Sequence, residues 1–191
     1  MVRRLPFALL AAASVALPFA AASAQHSPYA GEHARGIKAL SGREVDDLLA
    51  GRGMGMARPA ELNGYPGPMH VLDLRDRLGL TPEQEAAVRS SFARMEAAAK
   101  PLGAELVERE RALDRAFAGG GVTTEAVRSM AAAVGDLQGR LRAVHLAAHV
   151  ETRAVLTDEQ VRAYDALRGP SRAEGGVVAR IQLVAPEAGP E

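Results

Sequence analysis

The sequence predicts an all-α protein built on one long αα-hairpin with shorter helices on either side of it. Two long segments place apolar residues at spacings of three and four, which is the period of one helix face. A run of three glycines separates the two segments, and a threonine stands where each segment begins. Only 4% of the residues are aromatic and there is no tryptophan, while alanine, leucine, arginine and glutamate abound. This composition favours helices over a β-sandwich.

The first 24 residues have the pattern of a secretory signal peptide. A basic start at residues 3–4 precedes an apolar run over residues 5–21 and an A-x-A cleavage site at residues 22–24. The alternative is a membrane anchor, but the run is short for a bilayer span of about 20 residues. We therefore expect export to the bacterial periplasm, with cleavage after Ala24.

The charge balance argues against nucleic acid as a partner. The chain has 23 Lys and Arg against 23 Asp and Glu, and signal cleavage would remove Arg3 and Arg4. Charges of both signs are interspersed and no basic block occurs. The absence of cysteine excludes disulfides and thiolate chemistry, so packing alone must hold the exported chain together.

Residues 25–67 are predicted to form an N-terminal extension. Ser41 and Glu44 have the spacing of a capping box, which predicts a short helix over about residues 42–50. Residues 51–67 are rich in glycine and proline and are interpreted as a loop, with a turn of helix around residues 59–62.

Residues 68–169 are predicted to form the main helical domain. A kink is expected at Pro101, because proline cannot donate its helical hydrogen bond. Thr123 or Thr124 is expected to cap the second long helix. The predicted helices span residues 68–78, 81–117, 123–155 and 157–168.

Two further predictions concern the C-terminal tail and the oligomeric state. Residues 170–191 are rich in glycine, proline and alanine and are predicted to be a disordered tail. A single hairpin with one-sided apolar stripes has a limited core, so we expect two copies to complete their packing as a homodimer.

A five-residue motif occurs twice along the chain. Residues 80–84 (L-T-P-E-Q) and 156–160 (L-T-D-E-Q) share four of five positions and lie 157 − 81 = 76 residues apart. In each copy a threonine, Thr81 or Thr157, is placed to accept an orphan backbone N–H at a helix start, where acidic neighbours favour the positive helix end. The alternative is two unrelated caps that happen to look alike.

With two L-T-x-x-Q motifs behind a signal peptide in a cysteine-free helical chain, the sequence resembles the Spy/CpxP family of periplasmic proteins. Relatives of that family include the zinc-resistance-associated proteins and the CnrX-type heavy-metal sensors. The resemblance covers residues 68–169, and residues 29–65 look like a subgroup extension. It implies a cradle-shaped helical dimer that binds unfolded periplasmic proteins without ATP, or that senses envelope or metal stress. Gln84 and Gln160 match the family's motif glutamine, and we assign them a structural role.

His145 and His149 are the sharpest candidates for a binding site. Four residues apart on a helix, they project from one face with a geometry that suits zinc, nickel or copper. Ideal antiparallel packing would place His70 level with about residue 90 and His149 level with about residue 91, which makes His70 a candidate third ligand. The alternative is that these are ordinary histidines on the helix surface. The pair lacks the glutamate of H-E-x-x-H, so a zinc hydrolase would have no base.

Other residues give weaker signals. Met54 and Met56 are a thioether pair of the kind that suits Cu(I), or loop side chains that pack on the helices. His26 and His33 lie near the mature N-terminus, where they are either additional ligands or isolated surface residues. The sequence contains no G-x-S-x-G and no phosphate-binding loop, so we expect binding and not catalysis.

These observations lead to two main hypotheses about function. The first is an ATP-independent chaperone or envelope-stress protein that binds unfolded or misfolded clients. The second is a metal-binding sensor or resistance protein that uses zinc, copper or nickel, although no cofactor is expected to be required. A regulatory interaction with an envelope signalling protein is compatible with either.

Overall fold

The computed structural model describes residues 29–168, and the regular elements within that range are helices. The all-α fold predicted from the sequence is confirmed. The predicted signal peptide (residues 1–24) and the predicted tail (residues 170–191) lie outside the described residues. The elements are a 3-10 helix Glu32–Ala34, then α1 Gly42–Leu49, α2 Arg58–Glu61, α3 Pro68–Asp73, α4 Arg75–Leu78, α5 Pro82–Ala118, α6 Thr124–Val155 and α7 Asp158–Arg168.

The two long helices form the predicted hairpin. Helix α5 has 37 residues and continues through Pro101, and α6 has 32 residues. The loop between them contains Gly120 and Gly121, which take φ values of 69° and 71° in the left-handed region. Glycine adopts that region without a steric cost. Thr123 is the residue that caps α6, because its side chain accepts the backbone N–H of Ala126.

The prediction of one continuous helix over residues 68–78 is wrong. The chain leaves helical geometry at Leu74, where φ is −101° and ψ is 9°, so that α3 and α4 are separate short helices. The side chain of Leu74 packs against the apolar cluster beneath it, which shows that tertiary packing overrides local helix continuity here. The predicted end at Gly79 is correct, since Gly79 takes φ 58° in the left-handed region.

Residues 34–67 wrap over the hairpin, and we call this segment the strap. It contains α1 and α2 and the loops on either side of them. Its apolar side chains join the long helices in one core, which we call the strap core. The buried members are Ile37, Leu48, Ala99, Leu106, Val107, Val134, Leu137 and Leu141, and the partly buried members include Leu40, Val45, Met56, Leu102 and Val144.

A second core lies at the end of the hairpin where α5 begins and α6 ends. There α3, α4 and α7 pack around the helix termini, and we call this the motif core. Its buried members are Val71, Leu78, Val88, Leu156, Val161 and Tyr164.

The strap changes the physical basis of the expected dimer. The part of the apolar stripes of α5 and α6 that forms the strap core is covered by residues of the same chain, so that part does not need a second copy to be buried. The homodimer stays a prediction. Within residues 29–168 no helix combines the length and the apolar character that a membrane crossing requires.

Candidate functional site

Each copy of the repeated motif caps the helix that it begins. The hydroxyl of Thr81 accepts the backbone N–H of Gln84 at 3.2 Å, and the side-chain oxygen of Gln84 accepts the backbone N–H of Thr81 at 3.0 Å. Thr157 and Gln160 make the same two bonds at 3.2 and 3.0 Å. Both motifs are therefore reciprocal capping boxes, in which a glutamine takes the acceptor role at the third helical position.

The two motifs also bind each other, and we call this arrangement the glutamine clasp. The side-chain amides of Gln84 and Gln160 each donate to the other's oxygen at 2.9 Å. Gln84 also donates to the carbonyl of Val155 at 3.0 Å, and Gln160 to that of Gly79 at 3.4 Å. The carbonyl of Val155 lies two residues before Thr157, and that of Gly79 lies two residues before Thr81. Each glutamine therefore donates to the backbone just before the other motif, and the clasp is close to two-fold symmetric. The alternative of two unrelated caps is wrong.

The clasp leaves little of either glutamine available for a ligand. The amide of Gln84 uses both donors and both acceptor positions on its own threonine, on Gln160 and on a backbone carbonyl. The motif residues hold the start of α5 against the α6–α7 junction. Their role is structural, and a binding site has to be formed by other residues.

The first candidate ligand, His145, lies in the interior. Its side chain is only 3% exposed, which excludes a surface position for it. The ring packs beside Gly53 of the strap, where a β-carbon would lie 3.4 Å from Nδ1. The buried Nε2 has no hydrogen-bond partner among residues 29–168. Burial, and then the neighbouring His149, hold the pKa of His145 below its usual 6.5, so the ring is neutral at pH 7.

The second candidate ligand, His149, binds the strap directly. Its Nδ1 lies 2.7 Å from the backbone carbonyl of Tyr65. Because a carbonyl only accepts, this contact assigns a proton to Nδ1. Gly67 lies against the same ring, since a β-carbon there would be 3.0 Å from Cε1. The absence of a side chain at Gly67 lets the strap approach α6 this closely.

Glu61 is the centre of the polar contacts around His149. Its carboxylate accepts the hydroxyl of Tyr164 at 2.5 Å and the backbone N–H of Gly67 at 3.1 Å. The guanidinium of Arg168 lies 3.4 Å away and Nδ1 of His149 lies 3.6 Å away. Glu61 thus joins α2 to both α6 and α7. Burial, and then the hydrogen bond to Glu61, raise the pKa of Tyr164, which keeps the phenol protonated.

Sequence reasoning missed Glu61 entirely. Its partner Tyr164 is 103 residues away in the chain, and no spacing rule connects the two. The only local signal is that Glu61 is the one acidic residue in the glycine- and proline-rich stretch of residues 51–67, which does not identify a partner.

The third candidate ligand, His70, belongs to the same neighbourhood. Its ring nitrogen Nδ1 lies 3.9 Å from Asp73. Burial, and then the nearby Arg168, lower its pKa, and His149 is close enough to contribute in the same direction. The structure therefore brings His70, His149 and His145 into one region. Within residues 29–168, however, no three His, Asp or Glu side chains are arranged so that they could hold a metal ion together.

The two methionine candidates lie in the strap. Met54 is 40% exposed, whereas Met56 packs against the strap core, so the two thioethers do not share an environment. His33 lies in the 3-10 helix. His26 lies outside the described residues.

An open groove lies between α5 and the short helices α3 and α4. It encloses about 370 Å³ and is lined by Met69, Leu72, Asp73, Arg75, Arg89 and Phe92. Three of these side chains are apolar, two are arginines and one is an aspartate. Met69 is 49% exposed, so the apolar part of the groove is accessible from solvent.

The hairpin, the glutamine clasp and the open groove define a small all-α protein with an accessible, partly apolar groove. Comparison with known families then identifies it more closely. The profile described as "LTXXQ motif family protein" matches residues 68–168, which runs from the start of α3 to the end of α7. The chain belongs to this family, which carries the Spy/CpxP-type signature. Searches of curated proteins and of solved structures gave no match.

Proposed function

We propose that this is a periplasmic Spy/CpxP-like protein that binds unfolded clients without ATP. The observation that carries the proposal is the open groove between α5 and the short helices α3 and α4. An unfolded chain exposes apolar side chains, and a groove floored by Met69, Leu72 and Phe92 offers them a place out of water. The flexible methionine adapts to side chains of different shape.

The rim of the groove adds contacts that do not depend on the client's sequence. Arg75 donates to the carbonyl of Leu72 and Arg89 to the carboxylate of Glu85. Their remaining N–H groups can donate to carboxylates and backbone carbonyls of a bound segment. Membership of a Spy/CpxP-type family supports the same function. The periplasmic location rests on the signal-peptide pattern and on that membership.

The test is suppression of client aggregation by the mature protein. We expect stoichiometric protein to reduce light scattering by a chemically unfolded client, and Met69→Glu to lose most of this effect because it places a charge in the groove. Val150→Glu is the matched control, since Val150 is similarly exposed at 56% and does not line the groove. Absence of suppression by the unmodified protein at stoichiometric excess would contradict the proposal.

A second candidate function is metal binding by His145 and His149, with His70 nearby. The observation that favours it is the buried Nε2 of His145, which has no hydrogen-bond partner in the described part of the chain and carries the nitrogen type that metals bind. The absence of a three-donor cluster within residues 29–168 argues against a dedicated, tight site. This candidate therefore ranks below client binding.

Calorimetric titration with zinc, copper and nickel separates the two functions. Micromolar or tighter binding that disappears in the His145→Ala/His149→Ala double variant would support the metal function. Binding no tighter than about millimolar, which corresponds to only about 4 kcal/mol, would eliminate it.

A further inference from the structure

We propose that the apolar stretch of the C-terminal tail, residues 177–184, docks in the open groove of its own chain and limits the access of clients to it. The inference rests on the client-binding function proposed for that groove, and it adds how the same site is regulated. The occupant is a segment of this chain that lies outside the described residues.

The tail contains one stretch with the pattern of an amphipathic strand. It follows the glycine-rich residues 169–176, and its apolar side chains alternate along the chain. In an extended segment one face would carry Val177, Ala179, Ile181 and Leu183. The opposite face would carry Val178, Arg180, Gln182 and Val184. Because the first face is entirely apolar, a surface that removes it from water stabilises it.

The tail begins close to the groove. Helix α7 ends at Arg168, whose guanidinium lies 3.4 Å from Glu61 and close enough to His70 to help lower the pKa of that ring. Nδ1 of His70 in turn lies 3.9 Å from the carboxylate of Asp73, which lines the groove. The chain therefore leaves α7 next to α3, the helix that contributes three of the six residues in the groove lining.

The linker between α7 and the apolar stretch is long enough to cross α3. Residues 169–176 span up to about 26–29 Å when extended, whereas an α-helix with its side chains is about 10–12 Å wide. A short flexible linker also holds its segment at an effective concentration of about 1 mM. At that concentration, a segment with a dissociation constant of only about 0.2 mM would fill the groove in about five of every six molecules.

The groove offers the segment both apolar and polar contacts. Its apolar lining is Met69, Leu72 and Phe92. An extended segment presents unpaired backbone N–H and C=O groups along its edges. On the rim of the groove, Arg75 and Arg89 can donate to such carbonyls, and Asp73 can accept such N–H groups. The regular elements of residues 29–168 are helices, so the segment finds no sheet edge to extend there.

Single tryptophans can report the position of the segment, because the chain has none of its own. In the mature chain, Leu183→Trp places the indole on the apolar face of the segment. Val184→Trp is the matched control, since it places the same indole on the opposite face. We expect the Leu183→Trp protein to emit at shorter wavelength and to be quenched by acrylamide several-fold less than the control.

Substitutions in the helical domain test where the segment docks. Met69→Glu places a charge in the groove and should restore full quenching of the Leu183→Trp indole. Val150→Glu is the matched control, because Val150 is also exposed and does not line the groove, and it should leave the indole protected. The protection should not change with protein concentration, because the contact lies within one chain.

The Ile181→Ser/Leu183→Ser variant tests the regulation of client binding. Release of the segment should raise the apparent affinity for fluorescein-labelled, reduced and carboxymethylated α-lactalbumin by about sixfold, which is the factor that five-sixths occupancy sets. Gln182→Ser/Val184→Ser alters the opposite face and should leave the affinity unchanged. Both pairs lie outside residues 68–168, which match the family, so the family domain is the same in both variants.

The outcomes separate this inference from the client-binding function. Equal quenching of the two tryptophan variants, or protection that Met69→Glu does not remove, overturns docking in the groove even if client aggregation is suppressed. Docking with equal client affinity in the two serine variants overturns the regulation. Protection that Met69→Glu removes, with no client binding by any variant, supports the docked segment and contradicts the client function. Protection that rises with protein concentration, together with a dimer, assigns the groove to the tail of a second copy and overturns the contact within one chain.

Discussion

The motif core and the strap core stabilise the same hairpin in different ways. At the motif core, two copies of one motif bind each other through reciprocal glutamine bonds, all within the residues that match the family. At the strap core, the strap covers an apolar face of the hairpin, and the strap lies outside the residues that match the family. No repeated motif takes part in this contact. The repeated motif therefore joins the ends of the hairpin, whereas the strap determines how much of the hairpin's apolar surface is exposed to solvent.

Substitution of Gly103 should have the largest effect and should separate the two cores. Gly103→Ala places a β-carbon against the backbone carbonyl of Leu48, and no change of side-chain rotamer can relieve that contact. We expect a loss of about 3 kcal/mol in the free energy of unfolding. Hydrogen exchange should rise in the strap and not at the motif core. Gly135→Ala on α6 is the control, because its β-carbon meets nothing within 4 Å and should stabilise the helix by about 0.5–1 kcal/mol. Equal effects of the two substitutions would contradict the close packing of α1 against Gly103.

Removal of the glutamine clasp should come next in size. Gln84→Ala and Gln160→Ala each leave partners unsatisfied, and we expect each to lower the free energy of unfolding by about 2 kcal/mol in urea titrations. The double variant should lose less than the sum, by about 1 kcal/mol, because the two side chains act as one unit. Gln138→Ala, at an exposed position of α6, should change stability by no more than about 0.5 kcal/mol. Strict additivity would show that the motifs work independently.

Tyr164→Phe tests the contact between the strap and the motif core. The substitution keeps the buried ring and removes the hydroxyl that donates to Glu61, so we expect a loss of about 1 kcal/mol by thermal or urea unfolding. Tyr65→Phe is the comparison, because Tyr65 is 40% exposed and should be nearly neutral. If the two variants were equally stable, the hydrogen bond at Glu61 would contribute nothing measurable.

His145→Leu should have the smallest effect at neutral pH and a clear effect on pH dependence. Since the pKa of His145 is lowered in the folded protein, the unfolded chain binds the extra proton first as the pH falls below about 6.5. The stability associated with the neutral ring is thus present above that pH and is lost on acidification. We expect the free energy of unfolding to fall less between pH 7 and 5 in the variant, with His70 contributing part of the slope that remains. An unchanged slope would contradict the burial of a neutral His145.

Much of the fold could be predicted because its signals are local. Ser41 with Glu44, and Thr81 with Gln84, satisfy backbone N–H groups only a turn away, so the sequence alone locates those helix starts. The split at Leu74 was not predictable, because it depends on packing of that side chain against residues distant in the chain.

The candidate site was predicted less well than the fold. Helical spacing predicted that His145 lies beside His149, and hairpin register predicted that His70 lies near them; a shared metal site stays a prediction. Spacing did not reveal that His145 is buried beneath the strap. It also did not reveal that Glu61 contacts four residues, one of which is His149. Those facts depend on where a glycine-rich segment crosses the hairpin, and no periodicity encodes that path.

The sequence by itself determined the helices, their caps and the hairpin, because backbone hydrogen bonds and helical periodicity act over a few residues. Only the tertiary structure decided that the two motif glutamines meet, that α1 sits on Gly103, and that Glu61 lies between α6 and α7. These contacts join residues about 55 to 107 positions apart. Their geometry follows from how the packed helices exclude water, which no short stretch of sequence specifies.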